Sequence, residues 1–362
     1  MDFLVYFLIA FALSAALIPL FAAVSRKIGL LDQPGGRKKH GVAVPLVGGL
    51  VIFPLFIAMA LWSGIPSQNE YYFLAAMALL LVIGALDDRF QIAAKVKFVV
   101  QITAAALICI GGHAYFFSLG DLFGFGPFGL NLMAIPFALT AAVLLVNAVN
   151  LMDGLDGLSG GLGLISLGWL ALACVLASSF APLLLLMILC GGLCGFLVYN
   201  LRAPWRKKAS VFMGDSGSLA LGLSLAWFSI TLAKGDDPVI APIAVAWILA
   251  LPIWDICGQF ARRVSRGRHP FAPDLHHFHH HLIAAGFSVG KATMILWSFF
   301  FVSGLIGIGG IVLDVPEFWL TYPWIAGLFI HIYLSLRPHR FRRAFLWLRQ
   351  SGMQPKGTDH NE

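Results

Sequence analysis

Charge is what this chain has least of: 11% of its 362 residues are Asp, Glu, Lys or Arg, against roughly 25% in an ordinary soluble domain. So few ions cannot solvate a surface on all sides, which excludes a water-soluble globular fold. Long polar stretches are missing too. The largest gap between apolar runs, Arg262 to about Val289, is too short for a separately folded domain. The five cysteines (Cys109, Cys174, Cys190, Cys194, Cys257) are odd in number and lie in apolar runs, so no disulfide framework is expected. Cys190 and Cys194, one helical turn apart, read as packing residues. There is no internal repeat of the kind that marks an inverted-repeat transporter.

What is present is apolar sequence, 59% of the chain. A stretch of about 20 such residues crosses a hydrocarbon core of about 30 Å. Eleven candidates fall near 2–24, 43–62, 71–86, 97–114, 131–149, 158–178, 181–200, 211–232, 238–260, 290–313 and 317–336. The expected fold is all-α, a polytopic integral membrane protein of about 11 transmembrane helices, with one membrane domain over 1–337 and a basic tail over 338–362. Lys and Arg in alternate loops set orientation. Twenty-three of the 24 fall on one side, Lys234 alone on the other, which puts the N-terminus outside and the C-terminus in the cytoplasm. The first span opens with Asp2 and stops at Arg26-Lys27, so it reads as a retained helix rather than a cleaved signal. Arg337, Arg340, Arg342 and Arg343 beside the last span read as an anchor on anionic membrane lipid, with no indication of nucleic acid.

On this topology every dense polar cluster is cytoplasmic. Asp87-Asp88-Arg89 ends an apolar run. It reads either as a helix stop or as hard oxygen ligands for Mg²⁺, which takes one or two protein carboxylates plus substrate phosphates. Asn147, Asn150, Asp153 and Asp156 are spaced by three, which on a continuous helix would rotate the last member to the opposite face from the first. The helix should therefore end near Asp153, with Gly154, Gly157 and Gly160 shaping a loop. An Asp at mid-membrane costs roughly 2.5–3.5 kcal/mol, so such residues need a function at that depth. Phe212-Met-Gly-Asp215-Ser-Gly-Ser218 precedes an apolar span, where Asp215 or Ser216 would cap a helix and the free N–H groups would attract an anion.

Five histidines fill six positions from His276 to His281. Contiguous histidines cannot all converge on one zinc ion. Hydrogen bonding to phosphate oxygens, in either protonation state, is the favoured use. Arg262, Arg263, Arg266 and Arg268 precede them and suit phosphate or carboxylate recognition. Lys97, one turn before Gln101, is either a snorkelling lysine or a phosphate contact at headgroup depth.

Five blocks in order resemble the polyprenyl-phosphate N-acetylhexosamine-1-phosphate transferase family. They are Asp32-Gln-Pro with Arg37-Lys38-Lys39-His40 and Pro45-Leu-Val-Gly48-Gly49; Asp87-Asp88-Arg89-Phe90; Asn147-xx-Asn150-xx-Asp153-Gly-xx-Gly157 with Asp156; Phe212 to Ser218; and His277-Phe-His279-His280. The HxHH tract and Pro270-Phe-x-Pro-Asp274 resemble the bacterial branch acting with UDP-GlcNAc more than the UDP-MurNAc-pentapeptide branch. Gln91 stands where the family's DDxxD pattern has its third Asp.

The resemblance implies a bacterial inner-membrane phosphoglycosyl transferase. It would join GlcNAc 1-phosphate from UDP-GlcNAc to undecaprenyl phosphate, release UMP and start a surface glycan such as O-antigen. UDP-GalNAc, a deoxy-aminosugar nucleotide or UDP-MurNAc-pentapeptide are the alternative donors. It implies Mg²⁺, with Mn²⁺ as a substitute, held by Asp215 with Asp87 or Asp88. Asp87, Asp88, Asp153, Asp156 and Lys97 are the candidate catalytic groups. Asn147, Asn150, Arg263, His277, His279, His280, Lys38 and His40 are the candidate substrate contacts. A homodimer is left open. The rival class, a transporter, predicts carboxylates at mid-span and polar groups on both faces. Only Asp255 answers that description, and the outer face is bare.

Overall fold

The computed structural model describes residues 2–32, 43–235, 237–269 and 276–351. Among the described residues fourteen α-helices run in chain order. They are α1 (Phe3–Ile28), α2 (Gly48–Ser63), α3 (Gln68–Phe90), α4 (Ala94–Ala106, continued by a π-helical turn Leu107–Gly111), α5 (Ala134–Met152), α6 (Leu158–Leu176), α7 (Phe180–Asn200), α8 (Gly214–Leu232), α9 (Pro242–Ile248), α10 (Ala250–Val264), α11 (Phe278–Ala284), α12 (Val289–Val312), α13 (Glu317–Leu336) and α14 (Pro338–Ser351). The only strands among the described residues are β1 (Leu31–Asp32) and β2 (Val44–Pro45), paired antiparallel with Leu31 opposite Pro45.

Each of the eleven expected stretches is helical over most of its length. Among the described residues, seven helices are long and apolar enough to cross a membrane, or eight if the bent pair α9–α10 is one span. α2, α3 and α8 fall outside that set; length and composition support a polytopic membrane protein. The stretch expected as one span over 238–260 is two helices bent by 76° at Leu249. Pro252 explains the break, because it has no N–H to donate to the carbonyl four residues back. Two helices were not expected, α11 over the histidine tract and α14 within the basic tail.

α8 is the central element. Ser216 through Ile230 are all buried, and the helix packs on α2, α3, α5 and α6. Peripheral helices turn apolar side chains outward where a soluble protein would place charge, as with Leu4 and Leu20 of α1 and Phe329 and Ile330 of α13. This arrangement gathers the C-terminal ends of α3, α5 and α10 and the N-terminal ends of α4 and α8 at one end of the bundle.

Candidate active site

Glycine makes the site's closest approaches possible. A Cβ on Gly84 of α3 would lie 2.3 Å from Ser216 Cα, and one on Gly49 of α2 would lie 2.2 Å from the Gly217 nitrogen. The first turn of α8 is therefore in backbone contact with two neighbouring helices. Hydrogen bonds from Gly48 N–H to the Phe212 carbonyl (3.0 Å) and from Gly49 N–H to the Met213 carbonyl (2.9 Å) hold the preceding loop.

That proximity lets Asp88 cap α8 from another helix. Its Oδ1 accepts from Asp215 N–H at 2.8 Å, and its Oδ2 accepts from the Ser216 hydroxyl at 3.1 Å and Ser216 N–H at 3.3 Å. Neither Asp215 nor Ser216 is the cap, contrary to the bland expectation for this motif. The Asp215 side chain is left to face outward, where Lys97 Nζ reaches its Oδ2 at 3.1 Å and Asp87 Oδ2 at 2.7 Å. Asp87 Oδ1 accepts from Ile92 N–H at 2.7 Å, which fixes the turn between α3 and α4. Two carboxylates from distant parts of the chain thus share one ammonium.

Among the described residues no group of three or more His, Cys, Asp or Glu is arranged as a metal cage. Asp87 and Asp215 nonetheless fit Mg²⁺, which binds through one or two carboxylates and completes its shell with water and substrate phosphate.

α5 ends at Met152, as the spacing of three requires. Asn147 donates to Gln101 Oε1 on α4 at 2.8 Å, and Asn150 donates to Ser218 Oγ on α8 at 2.8 Å. Asp153, just past the helix, accepts from Ser159 Oγ at 2.5 Å. Desolvation in this loop pushes its carboxyl up to about 6, and the negative charges of Asp215, Asp156 and Asp32 add to the effect. Asp156 is engaged elsewhere. Its Oδ2 accepts from Arg202 Nε at 2.7 Å and Ala209 N–H at 3.1 Å, tying this loop to the one after α7.

The histidine tract folds back over the Asp153 loop. A Cβ on Gly154 would lie 2.4 Å from His279 Nε2, so the imidazole rests on the glycine backbone. His277 and His279 are parallel at 5.9 Å, and the His279 and His280 centroids are 4.1 Å apart. Burial, reinforced by neighbouring imidazoles, holds His279 well below the ordinary histidine range and brings His280 down to about 4. Both shifts favour the neutral imidazole. A neutral imidazole still offers one N–H donor and one lone pair.

The structure therefore brings together Asp87, Asp88, Lys97, Asn150 and Asp215, with Asn147, Asp153, His277, His279 and His280 around them. Arg263 is buried near the end of α10. Lys38 and His40, with Arg37 and Asp274, lie outside the described residues. Sequence reasoning passed over Ser159 and Ser218 and treated Asp255 only as a transporter clue. Small hydroxyls in apolar helices carry no signal of their own until their partners are known.

The family model described as Glycosyl transferase family 4 matches residues 71–233, the segment holding Asp87, Lys97, Asp153 and Asp215. The chain is 32% identical over 342 residues to an undecaprenyl-phosphate alpha-N-acetylglucosaminyl 1-phosphate transferase of Yersinia pestis, covering 92% of this chain and 91% of that one. It is 31% identical over 366 residues to the protein of the same name from Escherichia coli K12, covering 98% and 97%. To a probable undecaprenyl-phosphate N-acetylglucosaminyl 1-phosphate transferase of Bacillus subtilis it is 33% identical over 319 residues, covering 88% and 86%. With the motif residues assembled at one end of the bundle and relatives matched along nearly their whole length, the chain belongs to glycosyl transferase family 4.

Proposed function

We propose that the protein is a phosphoglycosyl transferase that moves GlcNAc 1-phosphate from UDP-GlcNAc to undecaprenyl phosphate and releases UMP, starting a surface glycan such as O-antigen. The observation that carries this reading is the Asp87–Lys97–Asp215 cluster at the end of a membrane bundle. A polyprenyl acceptor also needs somewhere apolar to lie. A cavity of about 400 Å³ lined by Leu144, Ala148, Ile230, Leu249, Ile253 and Trp324, among others, runs between α5, α8, α10 and α13 and suits its chain.

In the reaction an oxygen of the lipid phosphate attacks the sugar-bearing phosphorus, the bond from that phosphorus to the oxygen bridging the diphosphate breaks, and UMP leaves. A phosphate monoester has a second pKa of about 6, so the acceptor is already mostly dianionic at pH 7 and needs little help from a base. Positioning and charge neutralisation carry most of such a transfer. Mg²⁺, when bound, supplies charge neutralisation across the diphosphate. Asp215 and Asp87 are the residues that would hold it, while Lys97 meets phosphate oxygens. Asp88 contributes by keeping α8 in place. Asn147 and Asn150 face the nucleotide sugar, Asp153 orients the reacting phosphates, Asp156 secures the loop, and the histidine tract with Arg263 contacts the donor. We read all eleven apolar stretches as spans, with the N-terminus outside and the site facing the cytoplasm at the inner membrane. The exposed Arg340, Arg342 and Arg343 of α14 would lie on anionic lipid.

Purified protein with Mg²⁺ and undecaprenyl phosphate should release UMP from UDP-GlcNAc in preference to UDP-GalNAc or UDP-MurNAc-pentapeptide. Absence of lipid-dependent UMP release from all three would overturn the assignment. Single displacement is favoured over an aspartyl-phosphate intermediate. Labelled UMP should therefore not exchange into UDP-GlcNAc without lipid, and exchange under that condition would establish the covalent route.

Gly84→Ala tests whether the helix spacing matters. The added methyl meets backbone rather than a yielding side chain, and overpacking of this kind costs about 1–3 kcal/mol. Lower thermal stability and reduced turnover are expected together. Wild-type values for both would show that α8 can shift freely.

A further inference from the structure

Asp255 lies in the apolar run of α10 and is only 2% exposed. A carboxylate buried to that degree is costly unless its oxygens are occupied. Oδ2 is 2.7 Å from His277 Nδ1, and Oδ1 accepts from Phe278 N–H at 3.0 Å. His331 of α13, itself buried, brings Nε2 to 3.6 Å from Oδ1. One turn further along α10, Gln259 Nε2 donates to the His276 carbonyl at 2.6 Å. Two residues of one helix thus grip the backbone and ring where the histidine tract begins, and a third element, α13, closes the far side.

The consequence lies on the other edge of the ring. An ionised carboxylate only accepts, so the His277 proton facing it sits on Nδ1 and its Nε2 is directed away from the anchor. That Nε2, and both ring nitrogens of His279 stacked beside it, are buried without a hydrogen-bond partner among the described residues. Buried polar atoms of this kind are rare and call for an explanation. Here His279 sits against Gly154, in the loop that carries Asp153.

We propose that Asp255 is a positioning residue for the transfer reaction: by fixing the ring of His277 and the first turn of α11, it holds the unpartnered imidazoles of His277 and His279 where the phosphate and hydroxyl groups of the nucleotide-sugar donor satisfy them. This rests on the function proposed above. It gives Asp255, the one mid-span carboxylate, a role at the site and removes it from any ion pathway.

The test uses the full-length protein as Asp255→Ala, Asp255→Asn, His277→Ala and the Asp255→Ala/His277→Ala pair. KM is measured separately for UDP-GlcNAc and undecaprenyl phosphate, and amide hydrogen exchange is followed over Phe278–Ala284. Partners that orient a metal-bound histidine are typically worth about 10-fold to 100-fold, and a loss on the same scale is expected for a partner that orients a substrate-facing one. Asp255→Ala should accordingly raise the donor KM by about 10-fold or more, leave the acceptor KM within about twofold and speed exchange in α11. Asp255→Asn, which keeps one accepting oxygen in the same shape, should recover part of both losses. Because Asp255 acts in part through His277, the double variant should lose less than the sum of the two single losses. Additive losses, an equal rise in both KM values, or unchanged α11 exchange in Asp255→Ala would overturn the proposal. Should Asp255→Ala fail to fold, Asp255→Asn supplies the same comparison. Amide exchange reads the anchor without turnover, so a wild-type protein that releases no UMP would defeat the proposed function while the anchor is judged separately.

Discussion

Asp215→Asn should lower kcat by about 1,000-fold while the protein inserts and melts as the wild type does. The two halves of that expectation come from different atoms of one residue. The backbone N–H of Asp215 is held by Asp88 Oδ1 at 2.8 Å, and this bond secures the start of α8. The side chain contributes nothing to the cap; it faces Lys97 at 3.1 Å. Asparagine keeps the shape and the backbone bond and removes only the charge, so that among the described residues Asp87 alone remains as a carboxylate bonded to Lys97. Mg²⁺ would then be held by one protein ligand in place of two, and the ammonium would be less well balanced when the diphosphate enters. UMP release at saturating substrates, together with a melting curve, checks both halves. Turnover within about tenfold of wild type would remove Asp215 from the metal set.

Asp88 should behave differently although it adjoins Asp87 in sequence. Both its oxygens are committed to the first turn of α8, and Asp88→Ala leaves the N–H groups of Asp215 and Ser216 without their acceptor. An unsatisfied buried group costs about 1–3 kcal/mol, so Asp88→Ala should melt lower than wild type and lose turnover because Asp215 is no longer held against Lys97. Asp88→Asn retains one accepting oxygen but directs an NH₂ group at a second donor, so it should fall between alanine and wild type in stability. Turnover and melting temperature are thus expected to decline together along Asp, Asn, Ala. If Asp88→Asn were as inactive as Asp215→Asn yet melted as the wild type, Asp88 would be a direct metal or substrate ligand.

The contrast between these neighbours shows where sequence reasoning stops. Asp87 and Asp88 are indistinguishable as a pair of acids closing an apolar run, and both were candidates for the same role. Successive residues on a helix point about 100° apart, so their surroundings differ by which helix lies on each side. Asp88 meets α8 because Gly84 and Gly49 let backbones approach within van der Waals distance. Asp87 meets Lys97 because the chain turns at Gln91, whose N–H donates to the Asp87 carbonyl at 2.9 Å. Asp153 and Asp156 divide in the same way, one bonded to Ser159 inside its own loop and the other drawn to Arg202.

The sequence by itself determined the membrane class, the positions of the apolar helices, the end of α5 near Asp153 and, through five ordered motifs, the family. All of these are local properties: hydropathy over about 20 residues, or residue types at short spacing. Tertiary structure alone decided which carboxylate caps α8, which two share Lys97, and that Asp255 holds His277. These pairings join residues 10 to 127 positions apart. They depend on helix spacing and on the desolvation of the enclosed groups, neither of which a linear pattern of residue types encodes.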